Sequence, residues 1–148
     1  MPFKRPESVL VLITALNGKV LLLQRKDKPD FWQSVTGSLE WDEQPAEAAR
    51  RELFEETGLA DQPVKNNHFS QSYTIFPSWR FRYAPGVRRN REHLFTVTLE
   101  KMCPIIISDS EHLHYEWLDW PEAAEKVTSW SNREAIFNHF DPPRLLQK

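Results

Sequence analysis

The chain has 148 residues, of which 40% are hydrophobic and 27% are charged, and its formal net charge is -2. This length fits one domain with a single buried core, and the composition is unlike that of disordered or membrane-spanning chains. We therefore expect a single domain over residues 1–148. The small negative charge argues against general attraction to nucleic acid or to an anionic membrane, so this domain is expected to act through local sites.

The cysteine content and the hydropathy pattern indicate a compartment. Cys103 is the only cysteine, so no internal disulfide can form, which fits a reducing environment. No apolar run approaches the roughly 20 residues that span a bilayer, and the N-terminal segment is a poor match to a secretory signal. The sequence therefore predicts a cytoplasmic protein.

Two apolar segments near the N-terminus predict a β-hairpin. SVLVLITAL (8–16) and KVLLLQR (19–25) are rich in branched residues and flank Asn17 and Gly18, which both tolerate positive φ. After a turn at Pro29 and Asp30, FWQSVTG (31–37) predicts a third strand.

An amphipathic helix is predicted after this strand. Pro45 suits its first turn, where a missing N–H costs nothing, and Gly58 suits a left-handed cap at its end. Within the helix, Glu52, Glu55 and Glu56 share a face that borders an apolar stripe. Like charges one turn apart destabilise an isolated helix by a few tenths of a kcal/mol, so this crowding needs something that offsets it.

The second half of the chain carries further strand and helix patterns. Strands are predicted in 92–100 and 113–119, and helices in 121–127 and 131–140. Ser131 and Glu134 have the spacing of a capping box at the start of the last helix, and the tail 141–148 is expected to fray. The order of elements indicates an α+β domain or a mixed α/β/α sandwich.

Residues 37–59 match the signature of the Nudix hydrolases at every specified position. The matching residues are Gly37, Glu43, Arg51, Glu52, Leu53, Glu55, Glu56, Gly58 and Leu59. The chain is identified as a member of that family on this motif. The resemblance implies a mixed β-sheet packed between helices, and hydrolysis of a nucleoside diphosphate linked to another group, or of a close analogue. Many such motifs have glycine where this chain has Ser38 and Asp42, positions that the signature leaves free.

The resemblance also explains the crowded carboxylates. It implies a divalent metal ion, Mg²⁺ with Mn²⁺ as a possible substitute, gathered by Glu52, Glu55, Glu56 and the carbonyl of Gly37. Carboxylate oxygens are hard ligands that suit these ions. The same glutamates are the implied catalytic residues. Arg51 and Glu43 are implied to brace the loop and the helix behind the ligands.

Segments outside the signature resemble one group of Nudix enzymes, the bacterial dihydroneopterin triphosphate pyrophosphohydrolases. These segments are KRP (4–6), LQRKDKPDFWQSVTGSLE (23–40), FRYAPGVRRN (81–90), EHLHYEWLD (111–119) and TSWSNREAI (128–136). The resemblance implies release of pyrophosphate from 7,8-dihydroneopterin triphosphate in folate biosynthesis, and a further metal ligand at Glu111. It implies substrate contacts at Lys4, Arg25, Thr36, Tyr73, Thr74, Ile75, Phe76 and Ser129.

Several residues allow two interpretations. The basic stretch from Arg80 to Arg91 could steer a triphosphate, contact RNA, lie at a subunit contact or form a solvated loop. Phe31 and Trp32 could stack on a flat ring or belong to the core. A further set of aromatic residues is expected in the core: Tyr115, Trp117, Trp130, Phe137 and Phe140.

Rival functions come from the same enzyme class and from outside it. Members of the group also act on deoxynucleoside triphosphates such as dATP, so nucleotide-pool hydrolysis is the alternative activity. Removal of pyrophosphate from RNA ends fits poorly with the net charge, and the intact glutamates argue against a binding-only fold. Zinc is not expected, because His93, His112, His114 and Cys103 lack paired ligand spacing. The substrate is expected to be a small molecule, with no nucleic-acid or membrane partner, and both a monomer and a homodimer remain open.

Overall fold

A computed structural model describes residues 3–141 and shows a mixed β-sheet with helices on both faces. The strands are β1 (Glu7–Ala15), β2 (Lys19–Arg25), β3 (Trp32–Gln33), β4 (Val35–Ser38), β5 (Lys65–Thr74), β6 (Arg89–Leu99) and β7 (His112–Asp119). The helices are α1 (Pro45–Thr57), α2 (Trp120–Lys126) and α3 (Trp130–Phe140), and a 3-10 helix spans Pro77–Arg82. The predicted α/β/α sandwich is confirmed. Apart from Asp141, the tail that was expected to fray lies outside the described residues.

The predicted hairpin and the predicted first helix are both present. β1 pairs antiparallel with β2 across a turn in which Gly18 has a φ of 85° and the Asn17 side chain accepts a hydrogen bond from the Lys19 amide. Only Gly18 uses a positive φ in this turn. Pro45 opens α1, and Gly58 ends it with a φ of 79°.

The sheet topology determines which residues lie near one another at the candidate site. The order is β3-β2-β1-β6-β5, with β4 also pairing with β1 and β7 with β2. β1 and β6 run parallel, so Ser8 lies opposite Glu92, and on the other side of β1 the antiparallel strand β4 places Gly37 opposite Val9. The strand predicted over 31–37 is therefore two short strands, because the chain leaves β2 and joins β1 at Ser34.

The core forms a layer on each face of the sheet, as the alternation along β1 requires. Val9, Val11 and Ile13 pack with α1, while Leu10 and Leu12 pack with α2 and α3. Tyr115 and Trp117 pack against the first layer, and Phe137 and Phe140 against the second, as predicted. The prediction for Trp130 is wrong: this side chain is 50% exposed, because it begins α3 at the rim of a cavity.

Two further expectations differ from the structure. β5 was not predicted, since its sequence KNNHFSQSYT is largely polar; backbone pairing with β6 holds it at the sheet edge. The prediction of a capping box that begins at Ser131 is wrong, because Ser129 is the N-cap and accepts a hydrogen bond from the Asn132 amide at 3.2 Å. Among residues 3–141, no helix is long and apolar enough to cross a membrane.

Candidate active site

A cavity of about 400 Å³ opens between the sheet, the start of α3 and the 3-10 helix. This volume lies in the usual range for small-molecule sites. The residues expected to contact substrate all line it: Lys4, Arg25, Thr36, Tyr73, Thr74, Ile75, Phe76 and Ser129. Three residues of the expected metal set line it too: Gly37, Glu52 and Glu111. Glu55 and Glu56, like Glu43 and Arg51, lie outside its wall.

The acidic face of α1 is largely buried against the sheet. Glu52 is 8% exposed and Glu56 is 1% exposed, and their carboxyl groups lie close enough to hydrogen-bond each other. Burial raises the pKa of both groups, and the charge of Glu52 raises that of Glu56 further. The Thr36 amide donates to the Glu56 carboxyl group, but Oε1 of Glu56 has no hydrogen-bond partner in the described part of the chain.

His112 lies behind this pair. Its Nε2 is 3.7 Å from Oε1 of Glu56, and the side chain is almost fully buried. Burial lowers the pKa of His112 to about 4, so the imidazole is neutral at pH 7 and does not neutralise the carboxyl groups.

Arg51 joins the loop before α1 to the acidic face. Its guanidinium donates to both carboxylate oxygens of Glu43, at 2.8 and 2.7 Å, and to the carbonyl of Ser38 at 3.1 Å. It also contacts Glu52 at 3.1 Å and Glu55 at 3.3 Å. The hydrogen bonds from Arg51 lower the pKa of Glu43. One cation thus offsets part of the repulsion among the acids.

Gly37 lies against the Glu52 carboxylate. A Cβ atom at position 37 would overlap with the oxygens of Glu52, so only glycine permits this approach of β4 to α1. Glu111 also lines the cavity and is exposed, and its negative charge adds a small contribution to the raised pKa of Glu56, after those of burial and of Glu52. Within residues 3–141, no three His, Cys, Asp or Glu side chains form a group that could hold a metal ion. Glu52 and Glu55 instead form ion pairs with Arg51.

Cations surround one part of the cavity. The guanidinium of Arg25 lies over the Trp79 ring, 4.5 Å from its centroid, and that of Arg82 lies 5.8 Å from it. Asp27 binds Arg25 through two contacts of 2.8 Å and Arg82 through one of 3.4 Å. Desolvation, followed by repulsion from Arg82 and Arg25, lowers the pKa of Lys4. Two of these three cations pair with Asp27, and Lys4 lines the same cavity, so positive charge gathers there in an arrangement that suits a polyphosphate.

Aromatic rings form another wall. Phe31, Phe76 and Trp79 contact one another with centroid distances of 5.3 to 5.6 Å. Phe31 lines the cavity although it is buried, whereas Trp32 packs against the second core layer beneath the ammonium group of Lys126. Trp32 therefore belongs to the core, whereas Phe31 is buried and also faces the cavity, so its stacking on a flat ring stays a prediction.

A comparison over almost the whole chain assigns the family, in agreement with this geometry. A family model described as NUDIX domain matches residues 4–139. The chain belongs to the Nudix family. The match extends from Lys4 at the cavity rim to the last turn of α3, so it includes both the signature helix and the cavity walls.

The similarity to individual Nudix proteins is high. Dihydroneopterin triphosphate diphosphatase from Escherichia coli (strain K12) is 48% identical over 139 residues, covering 90% of this chain and 91% of that protein. A protein of the same name from Haemophilus influenzae is 43% identical, covering 92% of this chain and 88% of that protein. The solved structure of E. coli dihydroneopterin triphosphate pyrophosphohydrolase matches with a TM-score of 0.88 and 45% identity, covering 93% of this chain and 97% of that chain.

Nudix hydrolases generally use divalent metal ions, and the residues here fit one. Oε1 of Glu56 is buried without a partner, two carboxyl groups are held together against their repulsion, and Gly37 leaves room beside them. A divalent cation would neutralise the paired carboxylates and accept their free lone pairs.

Sequence reasoning missed some residues of the cavity. Trp79 and Glu92 were not singled out, and Arg82 was only part of the basic stretch. The signal for Glu92 was the alternation of β6, which places it on the same face as buried Leu94. Two other arginines of the basic stretch, Arg89 and Arg91, donate hydrogen bonds to Thr74 and Ser70 of the edge strand β5.

Proposed function

We propose that this chain hydrolyses 7,8-dihydroneopterin triphosphate to dihydroneopterin monophosphate and pyrophosphate, with Mg²⁺ as its metal ion and Mn²⁺ as a possible substitute. The observation that carries the proposal is the 48% identity to an enzyme named for this activity over nine tenths of both chains. The cavity adds chemical support, because it combines cations, aromatic rings and an acidic end.

The acidic end would hold the metal. Glu52, Glu55, Glu56, Glu111 and the carbonyl of Gly37 are the proposed ligands, and their hard oxygen donors suit Mg²⁺. When bound, such an ion neutralises phosphate charge and lowers the pKa of a bound water.

The protein residues supply position and charge. Lys4, Arg25 and Arg82 bind the phosphate oxygens, and Thr36 and Ser129 also line the cavity. Water adds to the α- or the β-phosphorus, the bond from that atom to the oxygen bridging the α- and β-phosphates breaks, and the monophosphate and pyrophosphate separate. A carboxylate at the acidic end accepts the proton of the attacking water.

The test is a comparison of substrates with purified protein and Mg²⁺. Dihydroneopterin triphosphate should give the highest kcat/KM among the pterin and the four deoxynucleoside triphosphates, and the inorganic product should be pyrophosphate. A preference for dATP, or release of orthophosphate, would overturn the proposal. Glu125→Gln, an exposed change on α2, serves as the control for protein handling.

Other features remain predictions from the sequence. They are the single domain over residues 1–148, the cytoplasmic location, and a small-molecule substrate without a nucleic-acid partner.

A further inference from the structure

Glu92 is a buried acid in the cavity wall with no role in the chemistry above. It lies on β6, between β1 and the edge strand β5, opposite Ser8 of β1 and Gln71 of β5, and is 6% exposed. In the described part of the chain, none of the ion pairs includes Glu92. A buried carboxylate without a cation costs stability, and an apolar residue at this position would avoid that cost.

The polar groups around Glu92 are largely committed to one another. Asn132 accepts a hydrogen bond from the Ser34 amide at 2.8 Å and donates to the Ser34 hydroxyl at 3.0 Å. Asn90 donates to the Ser8 hydroxyl at 2.7 Å. Within residues 3–141, the group that hydrogen-bonds the Glu92 carboxyl group is the Ser131 hydroxyl. Since a carboxylate can accept about four hydrogen bonds, most of its capacity is open to a ligand in the cavity.

We propose that Glu92 recognises the heterocycle of the substrate by accepting hydrogen bonds from two adjacent donors. On the proposed function, on which this inference rests, those donors are N3–H and the 2-amino group of the pterin. They lie side by side on the ring, and two carboxylate oxygens match them in a two-point contact.

The same chemistry predicts selectivity. Guanine carries the same pair of donors at N1–H and the 2-amino group, so its ring edge also matches Glu92. Adenine presents a donor and an acceptor side by side, and its acceptor would face a carboxylate oxygen. A site built for a hydrogen-bonding pattern rejects a ligand that leaves its buried groups unpaired. Glu92 is thus a specificity-determining residue rather than a catalytic one.

Burial provides independent support. It raises the pKa of Glu92 to about 7, and the Ser131 hydroxyl opposes the shift. Two donors from a ligand would stabilise the charged form in a site where the protein does little to stabilise it. The experiment is therefore done at pH 8, where the carboxylate form predominates.

The test uses Glu92→Gln, which keeps the shape but replaces two acceptors by one acceptor and one donor. The kcat/KM for the pterin is expected to fall about 10- to 100-fold, the range for a hydrogen bond to a charged group, while that for dATP stays constant or rises. dGTP and dITP differ only by the 2-amino group. The wild-type enzyme should prefer dGTP, and the variant should lose most of that preference. Glu125→Gln, in the exposed part of α2, should preserve every ratio.

These ratios distinguish the possible failures. They do not depend on the folded fraction of the variant, because that fraction cancels between two substrates. If wild-type protein does not prefer the pterin, the proposed function fails, whereas the dGTP to dITP ratio still tests Glu92. If wild-type protein prefers the pterin and Glu92→Gln keeps all ratios, only the inference about Glu92 is overturned.

Should the glutamine variant not fold, Glu92→Asp withdraws the carboxylate by one methylene and should reduce the same preferences; unchanged ratios would overturn the inference.

Discussion

Gly37 and the Glu52 carboxylate lie so close together that a Cβ atom on residue 37 would overlap with the carboxylate oxygens. β4 is fixed by its pairing with β1, and α1 is fixed by the core, so in Gly37→Ala the Glu52 side chain must move. A displacement of about 1 Å can cost on the order of 100-fold in rate, and we expect a loss of kcat of that size. Steady-state kinetics with Mg²⁺ would measure it.

Gly86→Ala is the matched control for this prediction. Gly86 has a φ of 89°, and no atom lies within 4 Å of a Cβ built there. The variant should lose about 1 kcal/mol of stability from backbone strain while retaining its turnover. Equal losses of kcat in both variants would show that the effect at Gly37 is not steric contact with Glu52.

The buried pair of Glu52 and Glu56 predicts a conflict between stability and activity. Both carboxyl groups have pKa values above the ordinary 4.5, so without metal each stabilises the fold less as pH rises above the unfolded value. Glu56→Gln removes this effect, and its amide can donate to Glu52. We expect a higher Tm than wild type in EDTA at pH 8, with turnover reduced by at least about 100-fold.

Thermal unfolding in EDTA and in Mg²⁺ would check this prediction. Wild-type protein should gain more from Mg²⁺ than the variant does, because the ion neutralises the pair. Glu55→Gln is the control for Tm in EDTA, since Glu55 is exposed and should change it little. A lower Tm for Glu56→Gln than for wild type in EDTA would contradict the interpretation.

The elements with a local cause were predictable from the sequence. Gly18 and Gly58 mark a turn and a helix end because each needs a positive φ, and Pro45 marks a helix start. The signature residues were likewise predictable as a set, because their spacing along one helix and its preceding loop defines them.

The remaining features depend on contacts that are distant in sequence. β5 has few apolar residues, and its strand structure comes from pairing with β6. Ser129 and Ser131 both suit a helix start, and the choice follows from Ser131 being buried at the cavity wall. Glu92 looks like any strand acid until the packing of α3 encloses it.

The acid form of Glu92 predicts a pH dependence of stability. Its folded pKa is about 7, and its unfolded value is 4.5. The stability contributed by the protonated group is complete below the unfolded value and is lost as pH rises from about 4.5 to 7, by on the order of 3 kcal/mol. Glu92→Gln should flatten the curve in that window. Urea unfolding of both proteins in EDTA from pH 5 to 8 gives the difference, and parallel curves would contradict the prediction.

Arg51 should not tolerate replacement by lysine. Its planar guanidinium group donates hydrogen bonds to both carboxylate oxygens of Glu43 and to the Ser38 carbonyl, and a single ammonium group cannot make these contacts at once. Because the side chain is 28% exposed, we expect a modest loss of about 1 kcal/mol of stability, and about a 10- to 100-fold loss of turnover. Arg50→Lys changes the exposed neighbour and should have little effect on either. Similar results for the two variants would argue against bracing by Arg51.

Trp79 should control substrate affinity through the groups that it supports. Its ring contacts Phe31 and Phe76 and lies beneath the Arg25 guanidinium. Trp79→Ala removes a wall for the ring and frees Arg25 to move, so we expect KM to rise about tenfold with a smaller change in kcat, consistent with a cation–π and packing loss of 1 to 2 kcal/mol. Trp79→Phe should recover part of the affinity.

Phe81→Ala is the control, because Phe81 is 75% exposed and lies outside the cavity wall. If Phe81→Ala raised KM as much as Trp79→Ala, the effect would belong to the 3-10 helix as a whole rather than to the face that Trp79 presents.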